Sequence, residues 1–269
     1  MEIKEKIVLT LEQETLLIPL FAKANKNNPL FFDQKAKEIL DSIEYDFEKL
    51  QVPYKTVILV CQRAKKMDTE VRNFLKRHPD GVVLHLGCGL DNRFWRVDNG
   101  RVKWYDLDMP PVVELRKQFY APNNRYTLIA SSVIDLAWVD KVSTGNKPVL
   151  VILEGLLMYL EEFDVKELFL KLHEVFPGCR LTADAFSRMA ARVANRHVSL
   201  KYTGAKIGWG VDDPREIECW APGIQLIEEW YFSQDPDLEK LSAGYRWAYK
   251  LAGLSKAARR AHRILLLQL

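Results

Sequence analysis

An α/β fold built on a mostly parallel sheet is the architecture this sequence predicts, and three observations carry the expectation. Val82-Val83-Leu84-His85-Leu86 is a compact apolar run that breaks at Gly87-Cys88-Gly89, as a buried parallel strand does on entering a tight turn. About twenty residues on, a second strand-like run, Lys103 to Asp108, ends in acids. From Val82 onward, strand-like and helix-like segments alternate. Gly87 and Gly89 let backbone N–H groups approach a ligand that a Cβ would keep away. A carboxylate ending the second strand can accept hydrogen bonds from both hydroxyls of a ribose. The combination describes half of a nucleoside-binding fold. A dinucleotide fingerprint would add a third glycine, and Asn92 follows Leu90-Asp91 instead.

The 269 residues suffice to bury a substantial core, and one elaborated domain is the default. A hydrophobic fraction of 48% and a charged fraction of 28% are ordinary for a soluble globular protein. A net charge of +3 is too small to imply a nucleic-acid partner. Cys61, Cys88, Cys179 and Cys219 have neither metal nor disulfide spacing and read as reduced thiols. The N-terminus alternates acids with bases, unlike a signal peptide, and no apolar run reaches membrane-spanning length. A cytoplasmic protein without membrane or metal partners is expected; oligomeric state stays open.

Taken in order, Thr10 to Asn25 has Leu16, Leu17, Leu20, Phe21 and Ala24 at helical spacing, with Pro19 bending it. Phe31 to Leu50 repeats the pattern, Val57 to Lys65 is a third helix, and Asp68 caps a fourth that buries Val71, Phe74 and Leu75. These residues, 1–80, form a helical cap over the carboxyl edge of the sheet. Pro79-Asp80-Gly81 turns the chain into the first strand. The core, 81–186, continues with a helix opened by Pro110 and a strand from Tyr126 to Val133. An apolar strand from Pro148 to Glu154, an amphipathic helix from Glu161 to Phe176 and a fifth strand, Arg180 to Phe186, complete it. Residues 187–222 read as a basic lid insertion, with Arg188, Arg192 and Arg196 at one-turn spacing. Asp213-Pro214-Arg215-Glu216 is a helix start within it. Residues 223–269 supply the last strands, Ile224 to Phe232 and Arg263 to Leu269.

Side chains at strand carboxyl ends face the ligand in such a fold. Four places qualify. Gly87, Cys88 and Gly89 present backbone; His85, within the strand, reads as a buried, hydrogen-bonded histidine. Asp106 and Asp108 share a face if the strand stays regular, with Asp108 the ribose ligand and Asp106 either beside it or orienting the turn. Ser132 or Val133 has an amide able to read an adenine edge. Glu154 ends an apolar strand, where a carboxylate is costly unless paired or facing a ligand. Arg63, then Lys23, is the candidate cation from the cap.

Together HLGCGLDNRF, WYDLDMP and EGLLMYL resemble the motifs of the leucine carboxyl methyltransferase family, and within it the tetracenomycin-type polyketide O-methyltransferases. TLLIPLFAKA, AFS, WGVDDP and HRI extend the resemblance over most of the chain. It implies a class I, Rossmann-like methyltransferase fold, with a seven-stranded sheet whose last strand is antiparallel. S-adenosylmethionine is the implied cofactor and methyl donor. The resemblance also implies Arg63 at the cofactor's carboxylate, Gly87 in the turn, Asp108 at ribose and Glu154 at the amino group. Asn92 and Ser132 depart from the family's usual threonine and aspartate.

The expected reaction is O-methylation of a hydroxyl or carboxylate on a small molecule. Alignment of the two partners supplies most of the catalysis, roughly 7–11 kcal/mol. A carboxylate is already ionised near neutral pH, whereas a phenol of pKa about 10 benefits from a base, for which Tyr159 and His197 are candidates. The rivals are a nicotinamide-dependent oxidoreductase and a non-catalytic S-adenosylmethionine binder.

Overall fold

The computed structural model describes residues 13–195 and 206–269. Seven strands form one sheet in the order β3-β2-β1-β4-β5-β7-β6. They are β1 (Val82–Leu86), β2 (Lys103–Asp108), β3 (Tyr126–Ala130), β4 (Val149–Leu153), β5 (Arg180–Phe186), β6 (Gln225–Tyr231) and β7 (His262–Gln268). The first five run parallel, and β7 is antiparallel to both neighbours. Strand order therefore reverses between β1 and β4, where ligands bind in open α/β sheets. Both strands are buried along their whole length and, but for His85, apolar, as central parallel strands are when helices cover both faces.

Alternate residues serve opposite faces. Val82, Leu84, Leu86, Val149, Val151 and Leu153 pack with α6 (Glu162–Val175). Val83, Leu150 and Ile152 pack with the helical cap: α1 (Leu17–Lys23), α2 (Gln34–Ser42) and α3 (Tyr54–Arg77). The short helices α4 (Arg93–Val97) and α5 (Pro110–Lys117) complete that layer. The cap reaches the carboxyl edge through Leu16, Leu20 and Lys23, which close the ligand cavity from above.

Two expectations need correction. The break before Asp68 does not occur: α3 is one helix of 24 residues. No glycine or proline interrupts it, and the Asp68 carboxylate does not bond backbone amides as a cap would. It accepts from Arg93 Nε at 2.6 Å and Arg96 Nε at 2.9 Å, partners that remove its competition with the helix. Residues 223–269 also hold more than strands. Between β6 and β7 lie α8 (Ala243–Leu254) and α9 (Lys256–Arg260), after the short α7 (Arg188–Ala194) of the insertion. Among the described residues no helix is long and apolar enough to cross a membrane.

Candidate cofactor site

A cavity of about 340 Å³ opens at the carboxyl ends of β1, β2 and β4, beneath the cap. Its floor is the glycine turn. Gly87 and Gly89 have φ of 66° and 52°, and a Cβ on Gly87 would stand 2.9 Å from a Leu156 methyl. Only glycine takes this path without strain. The turn is tied to β2: Gly89 N–H donates to Asp108 Oδ2 at 2.7 Å, and Met109 N–H to Oδ1 at 2.8 Å. Each oxygen keeps a further acceptor direction, and Asp108 lines the cavity. Burial raises the Asp108 pKa above the usual aspartate value, against the opposing pull of the two amides.

The opposite wall is ionic. Glu154 follows β4; its Oε1 accepts from Arg63 Nε at 3.1 Å, and its Oε2 from Arg93 Nη2. Arg63, from α3, also donates to Asp184 Oδ2 at 2.9 Å. Gly155, at φ 66°, passes so near that a Cβ there would meet the Arg63 guanidinium at 3.0 Å. Behind this wall Lys23 donates to Asp91 at 2.8 Å, and Arg96 bridges Asp33, Asp68 and Asp91. Burial alone would raise these carboxyls; the Arg93 and Arg63 guanidiniums overcome it at Glu154 and hold its pKa below the ordinary range. Asp91 is held well below by Arg96, Lys23 and Arg93 after the same burial penalty. The cap is thereby bonded to the glycine turn by charge as well as by packing.

Of the residues singled out in the sequence, Arg63, Gly87, Cys88, Gly89, Asp108, Glu154 and Tyr159 line this one cavity. Lys23 and His85 line it too. Burial raises the Cys88 thiol far above its ordinary pKa and also raises the Tyr159 phenol, so both stay protonated near neutral pH. Asp106 corrects the expectation of a second acid at the cofactor. Its side chain points into the core, where it accepts from Trp104 Nε1 at 2.7 Å, Tyr126 Oη at 2.6 Å and Arg116 Nη2. Arg116 in turn donates to the Gly89 carbonyl at 2.7 Å, so Asp106 orients the turn through Arg116. Burial opposes the Asp106 charge, but Arg116 and His85 hold its pKa at about 2.

Ser132 and Val133 stand outside the cavity wall, in the segment after β3; Val133 O accepts from Trp138 Nε1 at 3.0 Å. Neighbouring Ser131 N–H reaches the Asp108 carbonyl at 3.0 Å. Arg188 is exposed and pairs with Glu216 at 2.8 Å. His197 and Arg196 lie outside the described residues. Sequence reasoning passed over Arg93, which is fully buried and joins Glu154 to Asp68. Its place directly after the glycine turn, in Leu90-Asp91-Asn92-Arg93, is the signal that was available.

The leucine carboxyl methyltransferase family profile matches residues 20–173. The tetracenomycin polyketide synthesis O-methyltransferase TcmP of Streptomyces glaucescens is 38% identical over 265 residues, covering 97% of this chain and 98% of that one. The S-adenosyl-L-methionine-dependent methyltransferase dpfgK of Gibberella zeae is 32% identical over 257 residues, 86% of each chain. Among solved structures, a DUF574 family protein of Streptomyces avermitilis superposes with a TM-score of 0.60 at 14% identity. It covers 96% of this chain and 99% of that one, a likeness of fold.

Proposed function

The chain belongs to the leucine carboxyl methyltransferase family, and from that premise we propose how its cavity serves an S-adenosylmethionine-dependent O-methyltransferase. One observation carries the reading: a glycine turn, an amide-held carboxylate and a carboxylate–guanidinium pair face a single cavity. Its volume lies in the usual range for small-molecule sites, about 300–1,000 Å³. The cofactor fits this donor set, since the turn is bare where a Cβ would stand and anionic and cationic groups share the opposite wall.

Asp108 accepts the ribose hydroxyls. Glu154 takes the amino group, Arg63 the carboxylate, and the backbone of Gly87, Cys88 and Gly89 lies along the chain between. The segment of Ser132 and Val133, outside the cavity wall but tied to Asp108 through Ser131 N–H, would supply the amide for an adenine edge that extends past Asp108. When bound, the cofactor supplies an electrophilic methyl group. The protein's contribution is alignment and exclusion of water by the cap, which can be worth roughly 7–11 kcal/mol.

A carboxylate on a small, polyketide-like molecule is the acceptor we favour. Among the described residues that line the cavity, the thiol, the phenol and the cation-bound carboxylates are not free bases, and the imidazole, His85, is buried within β1 with no hydrogen bond at Nδ1. Cys88 and Tyr159 stay protonated, Glu154 and Asp91 are bound to cations, and His85 lies 3.3 Å from Asp106 and 3.5 Å from Arg93. A carboxylate needs no base, being ionised already. The test is transfer of isotopically labelled methyl from S-adenosylmethionine to 2-naphthoic acid and to 2-naphthol. Methyl ester from the acid is expected. Ether alone would overturn the carboxylate reading, and absence of both products with no S-adenosylhomocysteine release would overturn catalysis on such acceptors.

A further inference from the structure

Along the carboxyl edge of the sheet, moving away from the glycine turn, β4 leads into Glu154, β5 carries Asp184 near its end, and β7 begins with His262. His262 stands opposite Phe186 in the antiparallel register and Asp184 opposite Ile264, which makes His262 and Asp184 diagonal neighbours on one face. His262 Nε2 lies 2.8 Å from Asp184 Oδ2. The same carboxylate accepts from Arg63 Nη1 at 2.9 Å and, through Oδ1, from Gly155 N–H at 2.6 Å. Asp184 is fully buried; burial opposes its charge, and Arg63 with His262 holds it ionised, so Nε2 carries the proton of the shared bond.

The imidazole packs against Phe186 and Phe232, with ring centroids at 4.4 and 4.8 Å. Its Nδ1 has no hydrogen-bond partner among the described residues, and the side chain keeps 15% exposure. Arg63 and Gly155, which both touch Asp184, are walls of the cofactor cavity. The pair thus sits beside the cavity on the side away from Asp108. None of the cofactor subsites assigned above uses it.

We propose that His262 binds the methyl acceptor as an imidazolium set between two carboxylates: Nε2–H stays with Asp184, and a second proton, on Nδ1 in the acceptor complex, holds one oxygen of an aromatic carboxylate that lies against Phe186 and Phe232. This rests on the carboxylate reading given above. In the transfer the free carboxylate oxygen bonds to the methyl carbon as the carbon–sulfur bond breaks, the electron pair passing to sulfur. Sulfonium and carboxylate become thioether and ester, and no proton moves. His262 therefore orients the acceptor and is not asked to act as a base.

The experiment measures the dissociation constant of 2-naphthoate for protein saturated with S-adenosylhomocysteine, in the wild type, His262→Gln and His262→Asn. Glutamine reaches Asp184 but has no donor near the Nδ1 position; asparagine keeps that donor and gives up Asp184. Loss of a hydrogen bond to a charged group predicts that His262→Gln weakens naphthoate roughly 10- to 100-fold, and His262→Asn clearly less. Both variants should bind S-adenosylhomocysteine as the wild type does. A purely structural histidine gives the opposite order, with His262→Gln the better tolerated in both melting temperature and naphthoate affinity. That order, or equal naphthoate affinity in all three proteins, overturns the proposal. Wild type that binds S-adenosylhomocysteine but not naphthoate also overturns it while leaving the cofactor site standing; failure to bind S-adenosylhomocysteine at all overturns both.

Discussion

Glu154→Gln is the substitution whose consequences the geometry constrains most tightly. The carboxylate is 7% exposed and bonded to two guanidiniums. Breaking a buried ion pair typically costs about 3–5 kcal/mol, because the surviving charge is left uncompensated. Neither partner is left so here. Arg63 retains Asp184, and Arg93 retains Asp68 at 2.6 Å and Asp91 at 3.3 Å. Glutamine also keeps one acceptor oxygen. The stability loss in the ligand-free protein should therefore be smaller, about 1–3 kcal/mol, read by urea denaturation. Cofactor affinity should fall more decisively: one charge-assisted hydrogen bond, about 1.5–3 kcal/mol, corresponds to roughly 10- to 150-fold by calorimetry. The pH dependence has a definite sign. Because its partners hold the Glu154 pKa below the usual value, its contribution is present above the unfolded glutamate pKa, about 4.3, and is lost as pH falls through the folded value. A variant more stable than wild type at neutral pH, with cofactor affinity intact, would refute the reasoning.

The two acids of β2 should separate: Asp108→Ala lowers cofactor affinity at least tenfold by calorimetry and, by unpairing the Gly89 and Met109 amides, costs about 1–3 kcal/mol of stability, less than the loss expected at Asp106. Asp106→Ala strands the buried Arg116 and costs about 3–5 kcal/mol of stability in denaturation, with any affinity loss secondary. Asp106, held at about 2, contributes stability that is present above the unfolded aspartate pKa of about 3.9 and disappears as pH falls towards 2. Acid denaturation of Asp106→Asn should accordingly be shallower across that window. Gly155→Ala places a Cβ at φ 66° against the Arg63 guanidinium, and should cost about 1–2 kcal/mol of stability and weaken S-adenosylhomocysteine measurably in the same calorimeter.

The central strands β1 and β4 were legible because burial on both faces leaves a plain mark, an apolar run ending at glycine or an acid. Lys103–Asp108 and Arg180–Phe186 have the bounds the sequence indicates. What escaped depends on partners distant in the chain. Asp68 looks like a helix cap until Arg93 and Arg96 are brought against it by the fold. Asp106 and Asp108 do share a strand face, but Arg116 of α5 draws the first into the core while the second, at the strand's end, meets the glycine turn. A lone Glu154 reads as an unsatisfied carboxylate because neither Arg63 nor Arg93 announces its destination in sequence. The Asp184–His262 contact needs the antiparallel β5–β7 register, which no local pattern encodes. α8 buries none of its residues, and its apolar Trp247, Leu251 and Leu254 are exposed, so its sequence lacks the link between apolar stripe and core on which periodicity relies.

The central claim, that this cavity holds S-adenosylmethionine, is tested most directly by thermal unfolding of the wild-type protein with each candidate cofactor. At one hundred times its dissociation constant, a ligand that binds only the folded state adds about 2.7 kcal/mol. S-adenosylmethionine and S-adenosylhomocysteine should each raise the melting temperature accordingly, and Asp108→Ala should remove about half of the shift or more at the same concentration. A nicotinamide dinucleotide should leave it unchanged. A shift with the dinucleotide and none with S-adenosylmethionine would contradict the account.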